Sequence, residues 1–374
     1  MSVNKRQWLL DFLDGKPTDR IPVAPFIHLN FVQEFFNSND IDPIEDTIKV
    51  YDHFGFDIIL RTCNVGYYLS EAVCDSENWK VTEFREESGS GWIDVTIIKT
   101  PEKELKQCKK FSQITNNEVV EAIVECYIKD EDDFEQFIKF QPPVPEYDCS
   151  IVKKARELLG DKGLAAPWAQ GAFNSVAFYR KLDDLLMDPY INPDFYNKMI
   201  THFSSRMLIL IKQLADAGAD IICCGGNIGN GSMAGPAFFK DHILPYEIDF
   251  FKKIKEIGLY SLYHNCGDAD LLLDMYSQIG MDIYESLTAP PYGDTLLKNA
   301  FERLDESIIL CGNIDQIKFL RTATPEEIKK EVENVLSSAA ARGRFILGTT
   351  DYFSEGTPHE NIMAMAKAAK DFKI

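Results

Sequence analysis

Residues 259–267 read Leu-Tyr-Ser-Leu-Tyr-His-Asn-Cys-Gly, an apolar run that ends in His264 and Cys266. On an extended backbone, residues two apart share a face, so the imidazole and the thiol are expected to point the same way. Nitrogen and sulfur donors together suit zinc, which takes them in a tetrahedral shell and acts as a Lewis acid when one position stays open. A lone His-x-Cys at a strand end is more often a packed core pair. Its weight depends on which other side chains the fold brings to it.

Eight short apolar runs punctuate the chain, at 21–28, 57–63, 163–167, 219–224, 259–264, 282–287, 307–311 and 344–347. Amphipathic helical patterns separate them. Pro193 opens a long one that stops at Gly218, and Thr324-Pro-Glu-Glu327 and Thr357-Pro-His-Glu360 both read as capping boxes with proline at the first helical position. This alternation predicts an α/β chain folded as a (β/α)8 TIM barrel with N-terminal helices, a single domain over 1–374 closed by a last helix over 358–372. An open doubly wound sheet is the rival. It would place a Gly-rich turn after its first strand, whereas Gly225-Gly-Asn-Ile-Gly-Asn-Gly231 follows the fourth and reads as a loop that lets a ligand approach the backbone.

The alternation breaks between the second and third strands. Residues 79–84 and 92–99 flank Ser88-Gly-Ser-Gly91 and read as an inserted β-hairpin over 79–99, either a flap or partner-docking element at the barrel mouth or a cover on its outside. Residues 117–142 read as an acidic, mostly helical insert, with strand as the alternative for 119–128.

Barrel chemistry sits at the C-terminal ends of the strands. Strands one to four would present His28, then Arg61, Cys63 and Asn64, then Trp168 and Gln170, then Cys223, Cys224 and Asn227. Strands five to eight would present His264, Cys266 and Asp268, then Glu285, then Cys311 and Asn313, then Asp351 and Tyr352. Cys74, Cys108, Cys126 and Cys149 fall in the inserted region and are expected to be small buried side chains.

Composition excludes some partners. A formal net charge of -20 opposes binding to nucleic acid or anionic membrane, which needs Lys and Arg against phosphate. No run of about twenty apolar residues occurs, and the first residues lack the apolar stretch of a signal peptide, so a soluble cytoplasmic protein is expected. The nine cysteines are scattered, with two adjacent, as expected for reduced thiols.

Several motifs in one order carry a resemblance: Gly218-Ala-Asp-Ile-Ile-Cys-Cys-Gly-Gly-Asn227, Phe238-Phe-Lys-Asp-His-Ile-Leu-Pro-Tyr246, His264-Asn-Cys-Gly267, Gly312-Asn-Ile-Asp315, Phe345-Ile-Leu-Gly348 and Thr357-Pro-His-Glu-Asn-Ile362. Over nearly its whole length the chain resembles the uroporphyrinogen decarboxylase superfamily. The resemblance implies a (β/α)8 barrel and one of two activities: decarboxylation in haem synthesis, or cobamide-dependent methyl transfer with zinc held by His-x-Cys and a later Cys. Decarboxylases carry a Met-Arg-Gln-Ala-Gly-Arg element after strand one. Here that stretch is Phe26-Ile-His-Leu-Asn-Phe-Val-Gln-Glu-Phe35, without the arginines that would hold a polycarboxylate. The methyltransferase branch is favoured, since the chain has its His-x-Cys and a proline-rich loop, Leu287-Thr-Ala-Pro-Pro-Tyr-Gly-Asp294.

One departure shapes the expected chemistry. Where thiol-methylating members place their later cysteine, alignment puts Asp351; the expected ligand set is therefore His264, Cys266 and Asp351, with Cys311 or Glu285 as alternative third ligand. Fewer sulfurs leave zinc more positive, which favours polarising oxygen over holding thiolate. The resulting expectation is a zinc-dependent methyltransferase that moves methyl from a small O-methyl donor, an aryl methyl ether or methanol-like compound, to the cobalt of a corrinoid carried by a partner protein. Glu285 is the expected general acid, Asn227 a catalytic companion, and Asn64, Trp168 and Tyr352 substrate contacts, with Phe26 and Phe173 as walls for an aromatic ring. A homodimer is one permitted assembly. A porphyrinogen-type decarboxylase and a non-catalytic accessory barrel are the alternatives.

Overall fold

A computed structural model describes residues 4–66, 69, 76–89, 91–114 and 119–373. In chain order the strands are β1 (Ile58–Leu60), β2 (Lys80–Ser88), β3 (Gly91–Lys99), β4 (Glu104–Gln113), β5 (Val119–Glu125), β6 (Gly163–Ala165), β7 (Trp168–Gln170), β8 (Ile221–Gly225), β9 (Tyr260–His264), β10 (Ile283–Glu285), β11 (Ile309–Ile314) and β12 (Phe345–Thr349). Strands β7 to β12 form a parallel sheet in sequential order, and β1 pairs in parallel with β6. Pro167 divides the third apolar run into β6 and β7, because proline has no N–H for the ladder. The chain is thus an α/β fold with parallel sheets, in which helices separate the successive strands from β7 to β12.

Backbone hydrogen bonds tie the first apolar run to both neighbours. Ala24 N donates to Leu347 O and Leu347 N to Pro22 O, at 2.9 and 2.8 Å, while Asp57 N donates to Val23 O at 2.8 Å. On the other side of β1 and β6, Ala166 N reaches Leu60 O and Cys223 N reaches Pro167 O, each at 2.9 Å.

Two buried clusters divide the apolar side chains. The smaller contains Ala24, Ile59, Leu164, Ile221, Leu262, Ile283, Ile309 and Ile346, one from each of the eight runs. Leu9, Phe12 and Leu13 of the helix Lys5–Leu13 join this cluster. The larger cluster lies between strands and helices. Residues two further along each strand keep the inward face, and this next layer brings the buried polar Arg61, His264 and Glu285 beside Cys223 and Cys311.

Helix boundaries follow the sequence with one exception. Pro193–Asp216 starts with proline after Asn192, whose side chain accepts from Phe195 N, and Pro325–Ala340 has the full capping box between Thr324 and Glu327. At Thr357 the box does not form. Its hydroxyl donates to Ser354 O at 2.7 Å, and the helix begins at His359 without a side-chain cap.

The inserted region differs from the sequence reading. The 79–99 hairpin is half of a four-stranded antiparallel sheet, β2-β3-β4-β5. The 117–142 segment, expected to be mostly helical, contributes β5 as well as the helix Glu131–Phe140. Val119, Val120, Ile123 and Val124 are β-branched, and β4 offers them a partner with its own free edge, which outweighs the acidic composition. Cys108, Cys126 and Cys149 are buried; Cys74 lies outside the described residues.

Candidate metal and methyl-donor site

His264 ends β9, directly paired with Glu285 at the end of β10, which in turn is paired with Cys311 on β11. Glu285 Oε2 lies 2.8 Å from His264 Nδ1, and its other oxygen is ion-paired with Arg61. Cys311 Sγ donates to Glu285 Oε1 at 3.6 Å. Burial pushes the Glu285 carboxyl up, but Arg61 and the hydrogen bond from His264 outweigh it and hold the group well below its usual value. A carboxylate accepts only, so the proton of this contact sits on Nδ1, and Nε2 is left as the donor atom facing the mouth.

That nitrogen faces Asp351 and Cys266. Donor atoms of His264, Cys266 and Asp351 all lie within 4.8 Å of one another, with His264 Nε2 3.9 Å from Asp351 Oδ2. Asp351 Oδ1 accepts from Tyr352 N at 2.8 Å, which turns Oδ2 toward the histidine. A tetrahedral zinc with bonds of about 2.0–2.3 Å spaces its ligands roughly 3.3–3.8 Å apart, so the three donors need to close by about 1.5 Å at most. Burial disfavours a charged His264, yet its contacts with Cys266, Glu285 and Asp351 raise its pKa well above the ordinary value.

The structure separates the sequence candidates. Glu285 and Cys311 lie behind the imidazole; neither belongs to the three-donor cluster. Glu285, expected as a general acid, sits between Arg61 and His264, contacts that favour its carboxylate form and suit it to orienting the imidazole. Asn64, expected as a substrate contact, bridges the strand-two end to β7: its Oδ1 accepts from Trp168 N at 2.9 Å, and the lining of the cavity beside the cluster is formed by other residues. Phe173 is buried against Phe238, outside that cavity.

The cavity has a volume of about 280 Å³. Asn227, Trp168, Tyr352 and Phe26 line it together with His264 and Asp351. Phe26 packs 5.5 Å from Trp168 and 5.8 Å from Tyr352, and Trp168 sits edge-on to His264 at 5.4 Å. His28, Gln170, Asn174, Gly225 and Ile228 complete the wall. His28 and Gln170 were legible as strand ends; Asn174, one helical turn beyond β7, had no sequence signal. Arg61 was legible as the end of the second strand, but its pairing with Glu285 was not.

Gly225 lines the cavity, as expected of a loop that a ligand can approach, and both glycines are also crowded by neighbours. A Cβ on Gly225 would stand 2.6 Å from Gln170 Oε1, and one on Gly226 would meet the Tyr263 ring at 2.1 Å.

An α/β chain carrying a His-Cys-Asp donor cluster at its strand ends defines a candidate metalloenzyme scaffold. The uroporphyrinogen decarboxylase (URO-D) family profile matches residues 116–372, and the chain belongs to that family. It is 29% identical over 164 residues to the methylated-thiol:coenzyme M methyltransferase of Methanosarcina mazei, covering 44% of this chain and 41% of that protein. It is 24% identical over 162 residues to the methylcobamide:CoM methyltransferase MtbA of Methanosarcina acetivorans, covering 43% of this chain and 45% of that one. The matches thus span less than half of these relatives. A solved methyltransferase from Methanosarcina mazei superposes with a TM-score of 0.71 at 16% identity, covering 98% of both chains, which establishes a shared fold. No helix among the described residues is long and apolar enough to cross a membrane.

Proposed function

We propose that this chain is a cobamide-dependent methyltransferase that takes methyl from a small O-methyl donor, best an aryl methyl ether, and delivers it to the cobalt of a corrinoid on a partner protein. The observation that carries the reading is the convergence of His264, Cys266 and Asp351 beside an aromatic-walled cavity. The scaffold we infer is a closed (β/α)8 barrel, supported by the hydrogen bonds that link residues 22–24 to β12 and to Asp57 and by the inner cluster drawn from all eight runs.

A methyl ether is inert because its oxygen is a poor leaving group, so a catalyst must stabilise charge on that oxygen. His264 Nε2, Cys266 Sγ and Asp351 Oδ2 would hold zinc, which when bound supplies a Lewis acid for this oxygen. Glu285 fixes the imidazole so that Nε2 keeps its aim, and Arg61 keeps Glu285 anionic. Phe26, Trp168 and Tyr352 would pack the ring and exclude water, and Asn227 would hydrogen bond a ring substituent. The methyl carbon is then left facing the open mouth, where in-line transfer to cobalt can occur.

The decarboxylase alternative is opposed by the lining of this cavity. Among the described residues it includes no Arg or Lys to bind substrate carboxylates, and the buried Arg61 is already paired. The test is anaerobic: purified protein, an aryl methyl ether and cob(I)alamin, followed by the absorbance of methylcobalamin. Methylation that depends on the ether supports the reading; its absence with ether, methanol and thioether donors alike would overturn it.

A further inference from the structure

A second cavity, of about 590 Å³, lies between β5 of the inserted sheet and the helix Ala172–Ala177 that follows β7. It shares Gln170 and Ile228 with the site cavity, so the two spaces adjoin. Its inner walls are Ile123, Cys126, Ala177 and Leu182, largely apolar, while Glu121, Lys181 and Asp183 bring charge to its lining.

The sheet is pinned in a way that keeps this space open. Gln107 Nε2 donates to Phe178 O at 2.6 Å, Lys109 Nζ sits 4.3 Å from the Phe178 ring centre, and Arg180 binds both Asp188 oxygens and the Ile128 and Lys129 carbonyls. These contacts fix β4 and the end of β5 against the segment after the helix. The site cavity, at about 280 Å³, lies just under the ordinary range of roughly 300–1,000 Å³ for ligand sites, so a longer donor would have to extend beyond it.

We propose that this chamber is a second subsite for the methyl donor: it receives an apolar substituent that extends from the aromatic ring past Gln170 and Ile228, so the preferred donors are chain-bearing aryl methyl ethers. The proposal rests on the aryl-ether reading. It assigns a specificity role to Ala177 and Leu182, neither of which touches the three-donor cluster.

The test compares equilibrium binding, by calorimetry on the zinc-loaded protein, of methoxybenzene and of methoxybenzene with a four-carbon chain para to the methoxy group. The unsubstituted ether should bind, and the chain should tighten binding about tenfold or more, from the burial of its methylenes. Ala177→Phe, and independently Leu182→Trp, should bring the ratio of the two affinities close to one. If the chain gives no gain in the parent protein, or if both folded variants keep the gain, the subsite is overturned while the aryl-ether reading stands. If neither ether binds the parent protein, both fall together.

Discussion

Glu285 Oε2 lies 2.8 Å from His264 Nδ1, and both side chains are almost completely buried. This one contact decides which imidazole nitrogen can bind metal, and Arg61 on the far side decides that the carboxylate stays charged.

Replacing Glu285 by Gln should therefore lower zinc affinity by about 10–100-fold, the usual effect of removing such an orienting partner. It should also destabilise the fold by about 3–5 kcal/mol, because Arg61 is left as an unpaired buried cation. The double variant Arg61→Met with Glu285→Gln should recover much of the stability but not the zinc affinity. Denaturant titration and a competitive chelator assay read the two effects separately, and parallel recovery of both would contradict an orienting role.

On the proposed reading, donor preference turns on Asp351. Asp351→Ala should lose zinc, whereas Asp351→Cys should retain it and shift preference from ether toward thiol substrates, since a second thiolate makes the metal a weaker acid for oxygen. Zinc content and relative rates with ether and thiol substrates check this. Normal zinc in Asp351→Ala would move the third ligand elsewhere.

Glu247 gives a pH dependence away from the metal cluster. It accepts from Ala172 N and Phe173 N, each at 3.1 Å, and burial pushes its carboxyl up to about 7 despite those hydrogen bonds. An acid whose folded pKa is raised binds its proton more tightly in the native state. Stability is then lost as pH rises from the unfolded value of 4.5 toward about 7, and is level above it. Glu247→Gln should remove this fall, so that the parent and variant curves diverge between those two pH values. Parallel melting curves across that window would show that Glu247 is ionised throughout.

The inserted sheet is proposed to seat the corrinoid protein. Shortening the β2–β3 connection by deleting residues 86–91 should slow turnover with the corrinoid protein several-fold more than turnover with free cob(I)alamin. Equal slowing with both acceptors would place this segment in the scaffold or the donor site.

Much of this arrangement is written in local pattern. Period-two alternation put His264, Glu285 and Cys311 on the inner face of neighbouring strands, and Pro and Gly set most helix limits. The roles behind that inner face were not legible. Glu285 and Asp351 are both carboxylates at strand ends, and only the Arg61 pairing and the Tyr352 N–H distinguish an orienting group from a candidate ligand. Residues 119–125 were obscured for a related reason: an acidic, ambiguous stretch became strand because β4 offered an edge, a long-range fact absent from any local window.

The central claim, that His264, Cys266 and Asp351 together hold one zinc, is tested most directly by X-ray absorption at the zinc edge of the purified protein. The account predicts a single sulfur at about 2.3 Å and nitrogen or oxygen ligands at about 2.0–2.2 Å, with the sulfur lost in Cys266→Ser. Two sulfurs in the parent protein, or a sulfur that survives in Cys266→Ser, would contradict it.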